Sequence, residues 1–257
     1  MKSLQEIWEY REMIGSLVKK DLTTRYKGSF LGFLWTFANP LLQLLVYTIV
    51  FSLILPSNID NFAMYLFVAL VPWLFFSSSI QVGSTCIMAS KGLVQKVYFP
   101  RIVLPIATVT SNFMNMLFSF CMVFLMLLIT GTGLTPVAFF LPLIMIIEYF
   151  FVLGLVLIFS AVTVFFRDLE HILTFVVNAW FYLTPIVYGI DIVPERFKGI
   201  MYANPMTSIV VAYRDILYYK QMPQLSTLLS TVLFAIAFVV VGYLVFQKLQ
   251  KKFVEEL

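Results

Sequence analysis

Six long apolar stretches, separated by short polar connectors, run from about Phe33 to Phe246. Coiled as a helix, about 20 apolar residues match the ~30 Å hydrocarbon core of a bilayer. In that core only helices and closed barrels satisfy their own backbone polar groups. The runs are continuous rather than alternating, so they read as helices and not as barrel strands. With 61% hydrophobic residues and a mean hydropathy of +0.95, the chain has more apolar surface than a soluble domain can hide. The sequence therefore predicts an all-α polytopic membrane protein, a single transmembrane domain over residues 1–257. Its six spans are placed at 33–55, 62–82, 102–128, 137–164, 171–189 and 226–247, the fifth interrupted by Asn178 and Pro185.

Charge orients these spans. Lys2, Arg11, Lys19, Lys20, Arg25 and Lys27 precede the first. Lys91, Lys96 and Arg101 follow the second, Arg167 the fourth, and Lys248, Lys251 and Lys252 the sixth. Connectors 56–61 and 129–136 carry no Lys or Arg, and the four in 190–225 are nearly balanced by Asp191, Glu195 and Asp215. The positive-inside rule then places both termini in the cytoplasm. The net charge of +4 needs no nucleic acid to explain it. Charges persist to Lys27, where a cleavable signal would be apolar. Cys86 and Cys121 sit in apolar sequence and suggest packing rather than a disulfide or metal site.

Three segments are neither span nor simple connector. In 1–32, Leu4, Ile7, Trp8, Ile14, Leu17, Val18 and Leu22 recur at three- and four-residue steps, and Ser3 and Glu6 have capping-box spacing. This predicts an amphipathic helix lying in the membrane surface, either an anchor alone or an anchor that also docks a partner. Segment 83–101 contains the basic stretch 88–101, either a positive-inside connector or a short helix whose side formed by Leu93, Val94, Val97 and Tyr98 fits a partner groove. Connector 190–225 is too long for a plain turn. Within it Asn204-Pro205 predicts an N-cap with proline at N1, and Met206, Ile209, Val210, Tyr213, Ile216 and Leu217 form one apolar face. A re-entrant or interfacial outer helix fits, with Arg214 and Asp215 on its wet side, sealing the bundle or gating a path.

Polar residues at membrane depth are few. Glu148 is the one carboxylate deep in a span, where a charge costs about 2.5–3.5 kcal/mol on insertion scales. It is either a gate or path residue or the acceptor of a structural hydrogen bond. Thr108, Ser111, Asn112, Asn115 and Ser119 form a stripe on the third span, suited to helix packing or to lining a channel. Phe33, Phe37, Tyr47 and Phe51 share a helical face on the first span, where Asn39-Pro40 predicts a kink. Such a face can guide sugar rings, or simply pack. His171, beside Arg167, Asp168 and Glu170, reads as part of an interfacial salt-bridge knot.

No GxxxxGK[ST] phosphate loop, HExxH or GxSxG occurs in the chain. The 13 acidic residues are scattered, with no cluster able to hold a divalent metal for lipid-phosphate chemistry. One buried carboxylate and no internal repeat argue against an ion-driven carrier. What remains is a pore-forming subunit powered from outside itself, with no cofactor of its own.

The runs RYKGSFLGFLWTFANPLLQLLVYTIVFS (25–52), VPWLFFSSS (71–79), KVYFPRIVLP (96–105), VTVFFRDLEHI (162–172) and YLTPIVYGIDIVPERFKGIMYANPMTSIVVAYRDIL (182–217) carry a family likeness. Across nearly the whole chain they resemble the permease subunit of bacterial ABC-type polysaccharide and polyol-phosphate exporters, those of O-antigen, teichoic acid, capsule or rhamnose-rich polymers. The resemblance implies a homodimer in the bacterial cytoplasmic membrane with two separate ATPase subunits, which would hold ATP and Mg. It implies export of a polymer linked to polyprenyl (pyro)phosphate. It makes 88–101 the coupling segment, with Lys91, Lys96 and Tyr98 as contacts, and 190–225 the outer gate. Arg25, Lys27 and Arg101 become candidates for attracting the lipid phosphate, although positive-inside placement explains them equally well. Phe33, Phe37, Tyr47, Phe51, Glu148, Arg214 and Asp215 are the channel and gate candidates. An exporter of drugs or small lipids, or a membrane enzyme of glycan-lipid assembly, are the alternative readings.

Overall fold

A computed structural model describes residues 7–54 and 59–256, and no strand occurs among them. Helix α1 (Arg11–Tyr26) precedes α2 (Trp35–Ile49), which is entered by a 3-10 turn, Gly32–Leu34, and left by a π turn, Val50–Ile54. Then come α3 (Phe62–Ala89), α4 (Lys91–Lys96), α5 (Val103–Ile129), α6 (Leu141–Phe165) and α7 (Leu169–Tyr182). The chain closes with α8 (Glu195–Ala203), α9 (Pro205–Leu217), α10 (Leu225–Leu249) and the short α11 (Phe253–Glu256). The Ser3–Glu6 capping box and Leu4 lie outside the described residues.

Among the described residues, five helical segments are long and apolar enough to cross a membrane: Gly32–Ser52, Phe62–Lys96, Val103–Ile129, Pro136–Phe165 and Leu225–Lys252. The fifth expected span, 171–189, is not a helix of that length. Helix α7 has 14 residues, about 21 Å of rise, and stops at Tyr182. Pro185 is the reason: it has no N–H to give and disfavours helical backbone in the residue before it.

Helix α3 is the central post, with most of its 28 residues buried on every side. Helices α5, α6, α2, α9 and α7 surround it. Helix α6 also packs along α10, and the pairing is parallel, because Phe151 meets Phe238, Gly154 meets Gly242 and Phe165 meets Phe253. The chain between them must therefore climb back through the bundle. Helix α7 makes the first part of that climb, reaching the level where Trp180 packs on Phe76, itself stacked on Phe151.

The rest of the connector is a re-entrant hairpin. Tyr65, at the start of α3, donates to the carbonyl of Tyr188. From there α8 returns to Asn204, which is fastened beside Trp180, and α9 rises again until Tyr218 bonds Asp60 O and Lys220 bonds Thr132 O. Asn204 caps α9 as expected, accepting from Met206 N at 3.0 Å with Pro205 at N1. It also accepts from Trp180 Nε1 at 2.9 Å and donates to Thr184 Oγ1 and Leu183 O. One asparagine thus fixes both the apex of the hairpin and the end of α7.

The apolar face of α9 is buried as expected. Arg214 and Asp215 are not on a wet side: they are 2% and 6% exposed. Arg214 donates from Nε to Tyr65 O at 3.3 Å, from Nη2 to Ile186 O at 2.6 Å and from Nη1 to Pro185 O. Its guanidinium carbon lies 3.6 Å from the Tyr65 ring centroid. The carbonyls of Pro185 and Ile186 belong to the broken chain after α7, and Arg214 is their donor at depth, while Tyr65 O, in the first turn of α3, takes Arg214 in addition to the donor of its own helix. Asp215 accepts from Gln221 Nε2 at 2.8 Å.

Helix α1 lies against α5, where Ser111 donates to Asp21. Ile14 and Leu17 pack on the core, whereas Trp8 stands 70% exposed. The knot expected around His171 does not form: among the described residues the ion pairs are Arg25–Asp21 and Lys198–Glu195.

Candidate functional site

A cavity of about 540 Å³ opens between α2, α3, α5 and α7, and its lining is polar for a bundle so apolar. Helix α2 contributes Asn39, Gln43 and Tyr47, four residues apart and hence on one face. Ser77, Ser78 and Gln81 come from α3, Asn112, Asn115 and Ser119 from α5, and Asn178 from α7. Aromatic rings complete the wall: Tyr47 stacks on Phe181 at 5.5 Å, and Trp73 meets the same ring edge-on at 5.6 Å. Arg25 borders one end, with its Nε and Nη2 at 2.9 and 2.8 Å from Asp21 Oδ2. Amides, hydroxyls and ring faces in one water-accessible space hold a hydroxylated ligand better than an acyl chain.

The stripe on α5 is divided between both of its expected roles. Ser111 binds Asp21 and so joins α1 to α5, while Asn112, Asn115 and Ser119 face the cavity. The aromatic face expected on the first span does not hold together. Phe33 packs edge-on against Phe37 and Phe118, Phe51 packs on Phe62, and of the four only Tyr47 borders the cavity. Phe33 lies in the 3-10 turn and Phe51 in the π turn, so the 3.6-residue phase that aligned them is broken at both ends.

Asn39, Gln43, Gln81 and Asn178 form the cavity without having been singled out as site residues. For Asn39 and Gln43 the one signal in the sequence is a pair of amides four residues apart inside an apolar run; Gln81 and Asn178 stand as single amides in theirs. Such a step marks a face, but not what the face meets.

Glu148 does not line this cavity. It is fully buried in α6 and accepts from Tyr213 Oη of α9 at 2.7 Å, while its Oε1 has no partner among the described residues. Tyr213 stacks on Phe120 at 5.6 Å, so the bond pins the rising arm of the hairpin to α6 and α5. Tyr213→Phe strips Glu148 of this donor and is expected to cost about 1–3 kcal/mol. Glu148→Gln keeps an acceptor and should cost less. Thermal unfolding of the detergent-solubilised protein reads the difference, and a Tyr213→Phe variant as stable as wild type would show that the bond contributes nothing.

A second cavity, about 710 Å³, lies at the basic end of the bundle. Glu9 and Tyr10 form one wall, Lys96, Val97, Tyr98 and Arg101 another, and Gln247, Gln250 and Lys251 the third. The N-terminal segment, the 88–101 segment and the C-terminal turn therefore meet. Leu93 and Val94 turn inward onto the bundle, while Val97 and Tyr98 face outward, Tyr98 97% exposed. Lys91 and Lys96 are also exposed. The three basic candidates do not converge: Arg25 is paired in the first cavity, Lys27 is exposed beyond α1, and Arg101 donates to Gln250 O beside the second. Among the described residues no group of His, Cys, Asp and Glu is arranged to hold a metal.

Residues 12–218 match the ABC-2 type transporter family. The chain is 34% identical over 259 residues to the O-antigen export system permease protein RfbA of Myxococcus xanthus, covering 100% of both chains. It is 34% identical over 249 residues to an RfbA permease of Klebsiella pneumoniae, covering 95% of this chain and 94% of that one. With the polysialic acid transport protein KpsM of Escherichia coli it shares 23% over 209 residues, 79% and 80% of the two chains. A helical bundle with five membrane-length helices, a polar cavity and this match over most of its length belongs to the ABC-2 type transporter family, as a membrane permease and not an enzyme.

Proposed function

We propose that this chain is the transmembrane subunit of an ATP-driven exporter that moves a polysaccharide or polyol-phosphate polymer, carried on polyprenyl (pyro)phosphate, across the bacterial cytoplasmic membrane. The observation that carries the reading is end-to-end similarity to O-antigen permeases. The amide- and ring-lined cavity supports it, because a polymer of hydroxyls needs hydrogen-bonding walls across an apolar bundle. Helix α7 and the chain after it serve as a sixth, short passage, so both termini lie in the cytoplasm.

Two copies act together. Asn39, Gln43 and Gln81 are exposed on the open side of the cavity, and amides facing lipid are costly; a second copy there would enclose the path. ATP and Mg bind on two partner ATPase subunits, as this chain carries no phosphate loop. The partner docks at the basic end, where Lys91, Lys96 and Tyr98 stand free of the bundle, and the re-entrant hairpin α8–α9 closes the outer end.

Permease and ATPase reconstituted together are expected to move the lipid-linked glycan that accumulates in cells lacking this permease. Movement should depend on ATP and be absent with the permease alone; movement that survives removal of the ATPase refutes the reading. Lys96→Glu and Tyr98→Ala are expected to cut export about tenfold, the scale of a lost coupling of roughly 1–3 kcal/mol. Membrane insertion and thermal stability should not change, since Tyr98 packs on almost nothing. Wild-type export in both variants removes the coupling role from this segment.

A further inference from the structure

Asn112 is 2% exposed and borders the first cavity, yet neither its Oδ1 nor its Nδ2 has a hydrogen-bond partner among the described residues. Native proteins seldom bury an amide with both ends unpaired, because each end loses its water without replacement. The neighbouring α5 polar residues are not in this position: Ser119 donates to Asn115 O at 2.9 Å and Ser111 to Asp21. Asn112 is therefore held ready for something that occupies the cavity.

The chemistry of the amide narrows what that is. It presents an acceptor on one side and two donors on the other. A hydrocarbon chain answers neither side. A phosphate accepts only, so it would leave Oδ1 unpaired. Adjacent hydroxyls of a sugar or polyol give one donor and one acceptor at the separation an amide needs. Trp73 and Tyr47 in the same wall supply ring faces against which the apolar side of a sugar packs. At about 540 Å³ the cavity falls in the range of sites for small ligands.

We infer that Asn112 is a binding residue for the hydroxyl-bearing repeat unit of the exported polymer, and that the carrier phosphate is held elsewhere. This rests on the polymer-export reading and adds to it which part of the substrate meets which wall.

Asn112→Leu, close in volume and unable to hydrogen-bond, is the test, made in the permease–ATPase complex and supplied with the glycan-bearing carrier that accumulates in permease-lacking cells. Because an unpaired amide is removed, thermal stability should equal or exceed wild type, while glycan export falls by at least about tenfold. Asn112→Gln, which restores the amide, should recover part of the export. A Leu variant that exports at the wild-type rate overturns the inference and leaves the amide with water alone. A Leu variant of clearly lower stability also overturns it, since the amide would then be structural. An equal loss in movement of polyprenyl phosphate without glycan would assign Asn112 to the carrier head and refute the proposal. If the wild-type complex moves no glycan, the export reading itself fails, a result distinct from all of these.

Discussion

Arg214→Ala is expected to destabilise the folded bundle by about 3–5 kcal/mol, enough to remove most of the protein from the membrane. The guanidinium donates to three carbonyls, of Tyr65, Pro185 and Ile186, none of which belongs to its own helix. Without it the carbonyls of Pro185 and Ile186, which lie outside any helix, are left in a region where water does not readily replace the donor, at several kcal/mol for each unsatisfied group in hydrocarbon. The contact with the Tyr65 ring is lost as well. Arg214→Lys is the sharper variant. It keeps the charge and the long stem, but a point ammonium cannot serve three acceptors in the planar fork that arginine supplies. Folded yield by fluorescence-detected size exclusion should rank wild type above Lys and Lys above Ala. If Arg214→Ala folds at the wild-type level while losing export, the residue belongs to the gate after all.

The second large effect is expected at Gly154. A Cβ placed there would come within 2.4 Å of the Phe238 carbonyl carbon and 2.6 Å of Val239 N. One placed on Gly242 would come within 2.3 Å of Gly154 O. These are backbone atoms, so no side-chain rotation relieves the clash; α6 and α10 must move apart. The buried positions of α10 are Thr231, Ala235, Gly242 and Phe246, so its attachment to the bundle depends on close approach along this one seam. Gly154→Ala should cost about 1–3 kcal/mol and Gly154→Val more, as overpacking of a rigid site does. Gly15, on α1 with nothing within 4 Å, is the control and should accept alanine without loss. Thermal unfolding that does not distinguish Gly154→Val from Gly15→Ala would show that the two helices do not need this contact.

The sequence reveals the role of neither position. Arg214 reads as a charge on the wet side of an outer helix, because charge by itself points to water. Its burial follows from chain geometry: Pro185 stops α7 early, the stop leaves carbonyls without donors, and α9 passes beside them. None of these partners is near Arg214 in sequence. Gly154 sits in an apolar run where a glycine has many uses, and only the parallel approach of α10 makes it irreplaceable. The Asn204-Pro205 start of α9, by contrast, was legible because a cap is made within a few residues of itself. Glu148 was legible as a buried carboxylate in need of a partner, but not as Tyr213's acceptor. The cavity was half legible: the α5 stripe stood out, but not the amides on α2, α3 and α7 that face it.

The long apolar runs and the distribution of Lys and Arg are enough to determine that the chain is a bundle of helices in a bilayer and which end is basic. Run length against bilayer thickness and charge against the membrane face act on each segment separately, so they need no knowledge of the neighbours. The tertiary structure alone decided which face of each helix looks into the cavity, which packs and which meets lipid. In water an amphipathic period marks that choice, because the outer face must be polar. In a bilayer both the packed and the lipid-facing sides are apolar, and α3 carries apolar residues on every side. Only the contacts between helices separate them, which is why the interruptions in the six runs could be located in advance and their partners could not.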